Sequence, residues 1–103
     1  MRLARFAPLL LLAHALPAFA ADTALAAPIC DTLKKLLPEV KTFKPEGARA
    51  QLVMALAEKF EYDGARLRRV KSDIDQVTTA SCPKEREAML SILKMKSLSE
   101  AVS

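Results

Sequence analysis

Histidine occurs once, at His14, tryptophan not at all, and the 103 residues hold only two glycines and two cysteines. His14 lies in a stretch with the three-part pattern of a removable export signal. Met1, Arg2 and Arg5 make a basic start, Phe6 to Leu16 an apolar run of about ten residues, and Pro17, Ala18, Phe19 and Ala20 a helix breaker with a small-x-small cleavage pattern. Cleavage after Ala20, with cuts after Ala26 or Ala27 as alternatives, leaves a mature chain without imidazole. Such a chain has no Ser-His or Cys-His nucleophile pair and no histidine ligand for zinc, copper or haem. The expectation is a non-enzymatic protein with no catalytic residues, no metal and no cofactor.

Long apolar runs are missing too. A membrane span needs about twenty consecutive apolar residues, and neither the leader nor any later segment reaches that. The residues before Cys30 are Ala27, Pro28 and Ile29, which do not fit a lipidation box. Excess charge is also scarce. The 16 basic and 12 acidic side chains include Arg2 and Arg5 of the leader, so 14 and 12 remain and the mature net charge is +2. That balance gives no case for a nucleic-acid partner.

Two cysteines in an exported chain this short imply one intramolecular disulfide between Cys30 and Cys82, in a periplasmic or secreted protein. Closing a loop of about fifty residues stabilises by about 4 kcal/mol in the chain-entropy account. The pair is remote in sequence and set among apolar residues, unlike a Cys-x-x-Cys redox site.

Along the chain, Ala21 to Pro28 is alanine-rich and uncapped, and a flexible N-terminus is expected. The helical domain is placed at 29–98 and a loose tail at 99–103. Ile29, Leu33, Leu36, Leu37 and Val40 recur at helical spacing, with Pro38 expected to end or kink the helix. Phe43, in the connector Lys41 to Gly47, is expected to plug the end of a bundle. Ala48 to Tyr62 is the longest helical signal: Leu52, Val53, Leu56 and Phe60 make its stripe, Ala50, Met54 and Ala57 widen it, and Asp63-Gly64 stops it. An apolar face this wide suits a helix with two neighbours.

Leu67, Val70, Ile74 and Val77 form an a/d seam in a third helix, expected to fray over Val77 to Thr79. Pro83 suits the first position of a fourth, whose core face would be Ala88, Met89, Ile92, Leu93 and Met95, with Leu90 and Leu98 outside it. No repeat or strand alternation interrupts the series. The fold class is all-α, a three- to four-helix bundle stapled by one disulfide.

Two clusters carry what chemistry there is. Arg66, Arg68, Arg69 and Lys71 are a candidate patch for an acidic partner, anionic lipid or lipopolysaccharide, opposed by Asp73 and Asp75 four residues on, which are placed to pair with Arg69 and Lys71 along the helix. Asp73 and Asp75 diverge by about 200° on a helix and so do not form a catalytic carboxylate pair. Met54, Met89 and Met95, with Leu90 and Leu98, are candidates for lining an apolar groove.

The short patterns Cys30-Asp31-x-Leu33 and Phe43-Lys44-Pro45, and the run from Val77 to Glu85, resemble those of the acid-stress periplasmic chaperones of enteric bacteria, although the tryptophan beside that family's first cysteine is absent. The resemblance implies a homodimer that opens in acid and exposes apolar surface, with Asp73, Asp75, Glu85 and Glu87 as the switch. The leading expectation from the residues is a protein-binding module of inhibitor, immunity or accessory-subunit type. The chaperone, and a carrier of lipid or another apolar ligand, are the alternatives.

Overall fold

Residues 24–40 form one helix, α1, in the computed structural model, which describes residues 24–103. The expected leader at 1–20 lies outside the described residues. Two expectations about this first element are corrected. Residues 24–28 are already helical, with Ala26 and Ile29 buried against the core. Pro38 does not end the helix, which continues to residue 40. A proline forfeits one intrahelical donor, and here the missing bond is to the carbonyl of Lys34 on the exposed side, where water can satisfy it. Burial of Val40 and a hydrogen bond from Lys41 N to Leu37 O (3.1 Å) hold the turn beyond it.

The second helix, α2, spans Pro45–Lys59, three residues earlier at each end than its apolar pattern suggested. Pro45 occupies the first helical position, where its missing N–H costs nothing. The reversal after α2 is made by Glu61 and Tyr62, both left-handed (φ 57° and 58°), and no glycine has positive φ. Asp63-Gly64 is therefore a helix start rather than a stop. Asp63 Oδ1 accepts from Ala65 N (3.0 Å) and Arg66 N (3.2 Å) and caps α3, Gly64–Ser81.

Helix α3 does not fray at its β-branched run. Thr78 is fully buried, and its hydroxyl donates to Ile74 O at 2.7 Å. Cys82 then separates α3 from α4, Pro83–Leu93, with Pro83 at the first position as expected. Lys94, left-handed at φ 55°, ends α4. The tail expected to be loose instead forms a short helix, α5, Leu98–Ala101, with Leu98 and Ala101 fully buried.

These elements make an all-α bundle in which α3 packs on α4 and α5, and α4 also meets α2 and α5. Ile29, Leu33, Leu52, Phe60, Ile74 and Met89 are among its most buried side chains. The Cys30–Cys82 disulfide, with Cα atoms 6.0 Å apart across 52 residues of sequence, ties α1 to the α3–α4 junction. Both cysteines are buried. The buried face of α4 is turned toward Leu90: Met89, Leu90 and Leu93 are buried while Ala88 is exposed. Three neighbouring helices enclose a wider arc than one seam would.

Candidate functional site

Asp75, expected to pair along α3 with Lys71, joins three elements instead. Its Oδ1 accepts from the Arg86 guanidinium of α4 and from Leu98 N (2.8 Å), and its Oδ2 accepts from Ser99 N (3.0 Å). The carboxylate thus caps the first turn of α5 and neutralises a largely buried arginine. Burial pushes the Asp75 carboxyl up, but the hydrogen bond from Arg86, those from Leu98 and Ser99, and the charge of Arg86 together hold it below its ordinary value of 3.8. The opposite end of α5 is held by Arg49 of α2, whose Nε donates to Ala101 O at 2.8 Å. Ser97 Oγ also accepts from Glu100 N at 3.1 Å. The contacts of Asp75 and Arg49 are long-range and left no local signature in the sequence.

The basic cluster divides. Arg66 pairs with Glu61 at 3.4 Å and lies 5.3 Å from the centre of the Phe60 ring. Arg68, Arg69 and Lys71 are exposed and, among the described residues, have no carboxylate within 4.0 Å, and Asp73 forms no ion pair there. The expected pairing of Lys71 with Asp75 is absent because Asp75 is committed to Arg86 and α5, and Arg69 does not pair with Asp73 either.

The methionine groove does not assemble. Met89, Leu90 and Leu98 are buried in the core, while Met54 stands on the opposite, outward side of α2 at 63% exposure. Phe43, expected as a plug, is 43% exposed and lies against Gly47, its Cδ2 being 3.4 Å from where a Cβ would stand. Val53, placed in the core stripe by its neighbours, is 40% exposed, and Tyr62 is 71% exposed. Among the described residues these four are the exposed large hydrophobic side chains, and all lie between positions 43 and 62. The width of the apolar arc on α2 was the signal for Val53 and Met54.

Beside them, α1 and α2 enclose an open groove of about 750 Å³, lined by Leu36 and Ala55 and flanked by Met54 and Tyr62. Its charged lining is balanced, with Lys34, Lys35 and Lys59 against Asp31, Glu39 and Glu58. Among the described residues, no group of three or more His, Cys, Asp or Glu side chains is placed to hold a metal ion, and no helix is long and apolar enough to cross a membrane. Comparison with protein-family models, with curated proteins and with solved structures gives no match.

Proposed function

We propose that this chain is a small exported module that binds another protein, of inhibitor, immunity or accessory-subunit type, through the outward side of α2 and the adjoining groove. The observation that carries the proposal is the concentration of Phe43, Val53, Met54 and Tyr62 on one helix and its flanks, while the other large apolar side chains among the described residues are buried or half-buried. Aromatic residues and methionine are the types enriched where proteins meet. The buried disulfide fits an oxidising compartment, periplasmic or extracellular. Immobilised protein should retain one stoichiometric partner from periplasmic extract, and Met54→Glu should abolish that retention while leaving the helical circular dichroism unchanged. Equal retention by wild type and variant would overturn the assignment.

The Asp75 junction favours acid-stress chaperone action as a second reading. Protonating this carboxylate removes the cap of α5 and the partner of Arg86 together, which frees Leu98 and Ala101 to leave the core. Because the junction holds the Asp75 carboxyl below its ordinary value, that reading requires hydrophobic-dye binding to rise as pH falls from neutral to about 2, well below the ordinary carboxylate range. Unchanged dye binding over that range would exclude it.

A further inference from the structure

Arginines open α3 just behind its Asp63 cap, whose carboxylate supplies the charge that the N-terminus of a helix favours. Arg66, in the first turn, is accounted for by Glu61 and Phe60. Arg68, Arg69 and Lys71 are not: they face solvent and, among the described residues, no acid pairs with them; Asp73, the nearest in sequence, forms no ion pair there, and Asp75 is held by Arg86, Leu98 and Ser99. Three adjacent cations that gain nothing from their own fold are available to carboxylates outside it.

Resting on the protein-binding reading above, we infer that the exposed side of α3 carrying Arg68, Arg69 and Lys71, together with Tyr62 at the head of that helix, docks an acidic polypeptide segment of the partner. Tyr62 lies one residue before the Asp63 cap and supplies the apolar contact. The guanidinium groups supply forked, bidentate pairing to carboxylates. The charge pattern selects a polypeptide over an anionic membrane. Between Glu58 and Asp75 there are five cations, and with Asp75 held by Arg86 the carboxylates Glu58, Glu61, Asp63 and Asp73 remain among them, so a uniformly negative plane would meet repulsion as well as attraction, whereas a peptide can place each carboxylate opposite one cation.

Tyr62 is the only tyrosine and there is no tryptophan, so its fluorescence reports on contacts made at the turn that opens α3. The disulfide-intact protein should be titrated with a synthetic helical peptide bearing glutamates on one side and leucines on the other, with the same peptide carrying glutamine for glutamate, and with phosphatidylglycerol vesicles. The glutamate peptide should bind at least tenfold more tightly than the glutamine peptide in dilute salt. That preference should disappear in the Arg68→Gln/Arg69→Gln/Lys71→Gln variant and persist in Lys84→Gln/Lys96→Gln, which removes two exposed cations from α4 and the turn after it, away from the groove. Equal binding of the two peptides, loss of preference in both variants, or vesicles that compete the peptide away would overturn the inference. Partner retention separates it from the reading on which it rests. If Met54→Glu loses the partner and the triple variant keeps it, the module stands and this docking mode falls. If both variants keep it, both fall.

Discussion

Asp75 shows how one side chain can matter more to this molecule than its immediate neighbours in sequence suggest. Its carboxylate accepts three hydrogen bonds across α4 and α5, one of them charge-assisted. Replacing it with Asn keeps the shape but removes the charge that balances Arg86, and should cost about 2 kcal/mol at neutral pH, measured by urea denaturation. Because its folded-state pKa is depressed, this contribution is fully present above the ordinary carboxylate value and is lost as pH falls through the lower, folded one. The gap between wild type and Asp75→Asn should therefore stay constant from pH 7 to 5 and narrow below about pH 4. A gap independent of pH down to 2 would show that charge is not what Asp75 contributes. Tyr62 poses the opposite case. A bulky residue held left-handed costs about 1 kcal/mol that glycine does not incur, and with 71% of its surface in water it recovers little of that by packing. Thermal melts should rank Tyr62→Gly above wild type and Tyr62→Val below it. Under the docking proposal Tyr62→Gly is also the variant that gains stability and loses binding, and a melt ranking wild type highest would mean that the ring packs better than its exposure implies.

At the scale of elements, α5 is a four-residue helix too short to persist on its own. It exists because both ends are satisfied from elsewhere, by Asp75 at its N-terminus and by Arg49 at its C-terminus. If α5 leaves the core as a unit when either anchor is lost, the two losses are not independent. The double variant Asp75→Asn/Arg49→Ala should then cost less than the sum of the singles, by 0.5 kcal/mol or more in a denaturation cycle; strict additivity would mean that each anchor acts only locally. This is also where sequence legibility ends. The apolar spacings of Leu33 to Val40, Leu52 to Phe60 and Val70 to Val77 announced three core faces, and Pro83 announced the start of α4, because each is set by contacts within a few residues. Leu90, Leu98 and Asp75 were misjudged because their surroundings come from helices 11 to 24 residues away. Position along one helix says nothing about how many neighbours enclose it. The exposed α2 face was half legible: its apolar arc was visibly too wide for one neighbour, but which of Val53 and Leu56 would face solvent depended on where α1 and α4 lay.

For the whole molecule, the decisive element of design is the covalent tie from Cys30 to Cys82. A chain this short buries a small core, and domains of its size retain only a few kcal/mol of net stability once conformational entropy is set against burial. Closing a 52-residue loop removes unfolded-state freedom equivalent to about 4 kcal/mol, the same magnitude as the expected total. The bridge also joins α1 to the α3–α4 junction, so its loss bears on how both halves of the bundle meet and not on one hairpin alone. Reduction, or the Cys30→Ser/Cys82→Ser variant, should therefore leave a chain that is largely unfolded at 37 °C, with its urea midpoint lowered by more than half relative to the oxidised protein. The two routes must agree, because serine at two buried sites adds a polar cost of its own, whereas reduction of the native chain leaves two thiols that the core tolerates. If the reduced wild-type chain keeps its full helical signal and an unshifted midpoint, the packing of the buried core is sufficient by itself. The bridge would then protect the fold only against slow events such as proteolysis of opened states, and the link drawn here between an oxidising compartment and folding would have no energetic basis.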